Sequence, residues 1–326
     1  MSGSEGAVTT RAGGGAKDGA TGARPVASRP TSKIASRRQR WGYVYVAPFA
    51  IVFAVFLVLP LGYALWLSLH NKGIATAGRN MFVGADNYVR AFTDPVFLEG
   101  LWRVLRFVLV MVPVQILVAL VAALLLDTLA TRLSKVSRLL IFVPYAIPAV
   151  IGALMWGFLY SPRFGPAQDL FGLVGLTAPN FFSSANIFGS LVNIVTWQWV
   201  GYYMIIIYAA LRSIDPSIYE AAVLDGADRR QIALRIKVPM ISSSMVMIVV
   251  FALIGTLQFF TEPQVLRSSA MGAIPTDYTP NMYAFATAFN YSQFNYASTL
   301  AFSLGFLVFV GSYVFLFLTR KQSGLK

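Results

Sequence analysis

Six stretches, at roughly 43–69, 104–127, 138–160, 188–211, 240–262 and 296–319, run almost free of charge. A membrane-crossing helix needs about 20 mostly apolar residues, because hydrocarbon offers no partner to an unpaired backbone N–H or C=O. The pattern therefore predicts an all-α integral membrane protein with six transmembrane helices. Charged residues make up 12% of the 326, against about 25% in soluble domains. Asp127 and Glu262 fall at span ends, where head groups and water are near. Pro60, Pro113, Pro144 and Pro148 are expected to kink their helices, with neighbours satisfying the freed carbonyls.

Residues 1–40 are rich in Gly, Ala, Ser, Thr and Arg with almost no large apolar side chain. Such a segment buries too little to offset its ordering entropy and is expected to be a disordered, basic, cytoplasmic tail. The apolar stretch after it exceeds the roughly 7–15 residues of a signal-peptide core and has no small-residue cleavage site, so it reads as a retained anchor. Residues 41–326 then form the six-helix membrane domain. With the N-terminus inside, the C-terminus returns inside. Lys and Arg divide 19 inside to seven outside on this topology, the bias that positive-inside sorting requires. The net charge of +13 is thus read as topology and not as a nucleic-acid surface.

Several chemistries are excluded. The chain has no cysteine, and His70 is its only histidine, so thiolate and multi-histidine metal sites are impossible. No Gly-x-x-x-x-Gly-Lys-Ser/Thr phosphate loop occurs, and Gly13-Gly14-Gly15-Ala16-Lys17 has the wrong spacing. No cofactor is expected on this chain, and energy from ATP would have to come through a partner.

Between the fourth and fifth spans, at about 213–239, lies the longest strongly charged run within the membrane domain. Glu220-Ala221-Ala222-Val223-Leu224 is good helix material, and Gly226 can break or bend it. Arg229, Arg230, Arg235 and Lys237 mark the run as cytoplasmic, and Pro239 closes it before the next span. A helix-bend-helix held just outside a bilayer suits docking onto a soluble partner. Gly226 is expected to be required because a side chain would obstruct the bend.

The order Glu220-Ala221-Ala222, then Asp225-Gly226-Ala227, then Ile236-x-x-Pro239 resembles the EAA loop of ABC importer permeases. The resemblance extends over roughly 43–320. It includes Ala47-Pro48 through Leu59-Pro60, Phe82-Val83-Gly84-x-Asp86-Asn87-Tyr88, Thr279-Pro280-Asn281-Met282-Tyr283 and Tyr296-Ala297-Ser298, motifs similar to those of the carbohydrate-uptake subgroup. Ala233 stands where that family often has an aromatic, and its usual Gly-Gly-Pro triplet is replaced by Ser268-Ser269-Ala270-Met271-Gly272.

The resemblance implies a type I importer permease with a cytoplasmic coupling helix, in the inner membrane of a bacterium, more like the first permease of a pair than the second. It implies a second permease subunit, usually a different chain. It also implies an ATPase dimer carrying ATP and Mg, and an extracytoplasmic binding protein that delivers an oligosaccharide or sugar phosphate. The coupling set would be Glu220, Ala221, Ala222, Asp225, Gly226, Ala227, Ile236 and Pro239. Glu220 would pair with a basic group on the ATPase or cap its own loop.

For a substrate path, Asn193 and Trp197 share a helix face, as do Gln258 and Glu262 at the same spacing. Polar groups within a span tend to face a bundle interior or a watery cavity, or they bond neighbouring helices. An ATP-independent secondary transporter or channel is the rival reading. It would usually hold charge deep within its spans, and the middles of all six lack it. An intramembrane enzyme would need a nucleophile–base or metal set that is not found.

Overall fold

The computed structural model describes residues 33–72, 78–128 and 132–319. The chain divides into two compact units, residues 1–58 and 59–326. In the first, α1 (Lys33–Phe53) passes into a π-helical turn at Ala54–Val58. The helix begins at Lys33, inside the stretch that composition assigns to a structureless tail. A helix nucleated by the apolar span propagates back through Ser36–Arg40 at little cost. Residues 1–32 lie outside the described residues, as do Arg320, Lys321 and Lys326, on which the side assigned to the C-terminus rests.

The second unit opens with α2 (Leu59–Ser68) and a short antiparallel pair, β1 (His70–Asn71) and β2 (Met81–Phe82). Next come α3 (Asp86–Thr93), α4 (Pro95–Thr128), α5 (Arg132–Ala146), α6 (Ala149–Leu159) and α7 (Ala167–Leu173). They are followed by α8 (Ile187–Arg212), α9 (Pro216–Leu224), α10 (Arg229–Gln231), a π turn at Ile232–Lys237 and α11 (Val238–Met240). The unit ends with α12 (Ser242–Leu257), α13 (Thr261–Leu266), α14 (Pro280–Phe289) and α15 (Phe294–Thr319).

Among the described residues, five helical stretches are long and apolar enough to cross a membrane: Tyr43–Ser68, Pro95–Thr128, Ile187–Arg212, Ser242–Leu266 and Phe294–Thr319. The sixth expected span, 138–160, is not one continuous helix. It is the pair α5 and α6, bent by 98°. Pro148 cannot donate a backbone hydrogen bond and pushes the residue before it out of helical geometry. The carbonyl of Ile147 freed at the break accepts from the Gln198 side chain of α8 at 3.1 Å. One turn along, Gly201 lets the α5 backbone press directly on α8. Pro113, by contrast, sits inside an α4 that runs unbroken for 34 residues.

Helix α4 shows how the bundle is sided. Val104, Phe107, Met111, Gln115, Ala119, Ala123 and Leu126 are buried at steps of three and four, while Leu109, Leu117 and Leu125 are exposed. Lipid tails are as apolar as leucine, so outward leucines cost nothing and buried alanines allow close approach. The buried side chains form two layers along α4 and α8. One contains Phe107, Met111, Leu191, Ile194 and Met282, and the other Ala119, Ala123, Met204, Ile207 and Ile248.

Candidate functional site

The loop between α8 and α12 is built by capping. Asp215 accepts from the Ser217 N–H at 2.9 Å, with Pro216 at the first helical position of α9. That backbone N–H holds the Asp215 carboxyl below its ordinary value. At the other end, the Gly226 N–H donates to the Val223 carbonyl at 3.0 Å and the Ala227 N–H to the Ala222 carbonyl at 2.9 Å. These are the paired bonds of a Schellman motif with Gly226 at its left-handed position, φ +83°. Asp228 and Gln231 then form a reciprocal capping box that starts α10.

The Glu-Ala-Ala…Gly-Ala spacing is therefore the spacing of one helix end. Ala222 accepts the closing bond and Ala227 donates it. Gly226 is needed for a different reason from the one expected. A β-carbon there would meet nothing within 4 Å, so nothing obstructs the bend, and the requirement lies in the positive φ. Gly226→Ala should destabilise the turn by about 1 kcal/mol. Amide hydrogen exchange at Ala227 should then speed up several-fold, and Gly226→Asn should show a smaller effect.

Outward from this frame, Glu220, Ala221, Asp225 and Pro239 are exposed, and Ala222, Ala227 and Ile236 are half-buried. Among the described residues Glu220 makes no hydrogen bond or ion pair, and the caps belong to Asp215 and Asp228. The apolar Val223 and Leu224 are 60% and 89% exposed, on a short helix with charged residues around it. Sequence reasoning passed over these two because they read as ordinary helix formers.

The base of the loop is clamped. The Lys237 ammonium donates to the Asp127 carboxylate at the end of α4, with side chains only 12% and 7% exposed. The same ammonium stands 4.8 Å from the ring centre of Tyr219 on α9. Burial pushes the Tyr219 hydroxyl up from its ordinary value, the Asp127 charge adds to this, and Arg212 opposes it. Asp127 is thus a buried partner and not a head-group acid.

A second site lies within the bundle. The span Ser242–Leu266 is interrupted at Gln258-Phe259-Phe260, between α12 and α13. A cavity of about 330 Å³ opens at this break, at the lower end of the roughly 300–1,000 Å³ of small-ligand pockets. Its polar lining comes from Gln115, Thr256, Gln258, Thr261 and Glu262, and its aromatic lining includes Trp199 and Tyr203. Gln258 and Glu262 do share this site, but because the helix breaks between them and not because they lie on one continuous helix face. Glu262 is 7% exposed, so it is not the interfacial acid that its position at a span end suggested.

Asn193 and Trp197 are placed elsewhere. Asn193 donates to the Tyr160 hydroxyl at 2.7 Å, and Trp197 packs edge-on against Trp156 of α6. They brace the bent pair and do not line the cavity. Gln115, Trp199 and Tyr203 were missed, since nothing in their local sequence tells which neighbour they face. A larger hollow of about 710 Å³, between α2, α14 and α15, is walled by Ala, Phe, Leu and Gly with Ser298 as its lone polar residue. It offers little for recognising a polar solute.

Residues 95–323 match the family described as binding-protein-dependent transport system inner membrane component. The chain belongs to this family. It is 30% identical over 288 residues to the lactose transport system permease protein of Rhizobium radiobacter, covering 86% of this chain and 94% of that protein. It is 28% identical to the sn-glycerol-3-phosphate transport system permease protein of Salmonella typhi, covering 84% and 92%. The crystal structure of a bacterial ABC transporter that imports the acidic polysaccharide alginate contains a chain of the same fold. The two superpose with a TM-score of 0.77 at 21% identity, covering 88% of this chain and 98% of that one. The fold is that of a type I ABC importer permease. As a family member the protein is a transmembrane permease component and not an enzyme, and ATP hydrolysis falls to a separate subunit.

Proposed function

We propose that this chain is one permease subunit of an ATP-driven importer that carries a sugar, an oligosaccharide or sugar phosphate, into a bacterial cell by alternating access. A second permease, usually a different chain, completes the pore. An ATPase dimer holding ATP and Mg docks on Glu220, Val223, Leu224 and the turn at Gly226. An extracytoplasmic binding protein delivers the solute, and both termini lie on the cytoplasmic side of the inner membrane. The observation that carries this reading is the exposed α9, with an unpaired acid and two outward aliphatic side chains on a rigidly capped frame. Relatives named for lactose and for sn-glycerol-3-phosphate transport support the solute class.

The cavity at the broken span is the proposed substrate station in this subunit. Amide and carboxyl groups would hydrogen-bond sugar hydroxyls, and Trp199 would supply a ring face. Gln115→Ala and Glu262→Ala should each raise the KM for uptake about tenfold, the equivalent of one lost hydrogen bond of about 1.4 kcal/mol. The test reconstitutes the assembly with its binding protein and screens lactose, maltose, trehalose and glycerol 3-phosphate for stimulated ATP hydrolysis. Stimulation by a sugar supports the reading, and stimulation by none of a wide sugar panel contradicts it.

A further inference from the structure

The Asp127–Lys237 pair ties α4 to the loop that runs from α9 into α12, a link the loop itself does not make. Asp127 ends α4, and Lys237 ends the π turn five residues before α12 begins. Tyr219, beneath the Lys237 ammonium, belongs to α9. Both α4 and α12 reach the cavity, through Met111 and Gln115 on one and Ala252, Gly255 and Thr256 on the other. Gln115 and Asp127 both lie beyond Pro113, on a stretch of α4 with no proline. Twelve residues at 1.5 Å each make that stretch a rod of about 18 Å.

From this geometry we infer that the part-buried Asp127–Lys237 ion pair is the joint through which movement of the coupling helix reaches the cavity, a positioning role assigned to neither residue by the coupling motif. The inference rests on the reading of α9 as the docking helix. A packed apolar contact resists parting in proportion to the area it would expose, but it has no preferred direction. Two opposite charges with little access to water resist separation as well, because parting would leave each without its partner. The pair therefore makes the roots of α4 and α12 follow α9 in both directions. The Tyr219 ring holds the ammonium against α9, and the π turn, a geometry frequent at functional sites, sets Lys237 at the base of the loop.

The test uses the full assembly in lipid nanodiscs. Spin labels on Leu109→Cys and Tyr313→Cys report α4 against α15, and labels on Ser217→Cys and Tyr313→Cys report the coupling helix. The chain has no cysteine of its own, and partner cysteines are replaced. Distances are measured without nucleotide and with ATP plus vanadate. The apolar pair Asp127→Leu with Lys237→Met should keep the ATPase bound and the Ser217 shift, but lose at least half of the Leu109 shift. The exchanged pair Asp127→Lys with Lys237→Asp should restore it. A full Leu109 shift in the apolar pair would overturn the inference, leaving the ion pair a packing feature. Should that variant fail to assemble, Lys237→Gln takes its place with the same two outcomes. A wild-type chain that binds no ATPase at all would contradict the proposed function, a result distinct from either outcome.

Discussion

Gly201→Ala is expected to lower the apparent unfolding midpoint of the purified protein by several degrees, among the larger effects of any one-carbon change. A β-carbon at this position would lie 2.1 Å from the Ile141 carbonyl oxygen and 2.7 Å from the Phe142 α-carbon. Both are backbone atoms, so no side chain can turn aside, and α5 would have to lift off α8. Overpacking costs about 1–3 kcal/mol, and a backbone obstacle belongs at the upper end. For a chain of 326 residues each kcal/mol corresponds to about 1–2 °C. Lifting α5 would also draw Ile147 from Gln198 and loosen the bend that α6 depends on. Gly189→Ala on the same helix is the control. A β-carbon there meets nothing within 4 Å, and alanine is the better helix former by up to about 1 kcal/mol. A thermal scan in which the two variants behave alike would contradict the close approach of α5 and α8.

Glu220→Lys should leave the protein folded yet reduce the ATP hydrolysis stimulated by loaded binding protein at least tenfold. Glu220 is exposed and pairs with nothing among the described residues, so its replacement removes no internal contact. Its expected partner is a basic group on the ATPase. Truncating one member of a buried interfacial charge pair costs about 2–5 kcal/mol, largely as faster dissociation, and reversal adds repulsion. Glu220→Gln should fall between the two. Unchanged stimulation in Glu220→Lys, with an unaltered melting profile, would remove Glu220 from the interface.

What the sequence reveals and what it hides divide along physical lines. The spans were legible because lipid demands long apolar helices. The end of α9 was legible because its cap needs a fixed spacing between Ala222, Gly226 and Ala227. The 98° break was not, although Pro144 and Pro148 were visible as kinks. A proline marks where a helix can be interrupted, but Pro113 and Pro144 lie within continuous helices and only Pro148 stands at the break, where Gln198 and Gly201, some 50 residues away, hold the bent pair. Periodicity placed Asn193 and Trp197 on one face without saying that the face meets α6. The Asp127–Lys237 pair joins residues 110 apart, each of which read as an ordinary charge at a span end. Gln115 carries no local signal in the sequence, since only α8 and the break at Phe259 make it part of a cavity.

On the proposed function, this permease is driven through α9 by a separate ATPase. The most direct measurement is purification of the wild-type chain from its native membrane in mild detergent, with identification of what accompanies it and assay of ATP hydrolysis. An ATPase and a second permease should co-purify with it, and both the ATPase and its regulated activity should fall away when Glu220→Lys is combined with Gly226→Pro. A wild-type chain that purifies alone and transports solute without ATP would contradict the proposed function, in favour of a channel or secondary transporter.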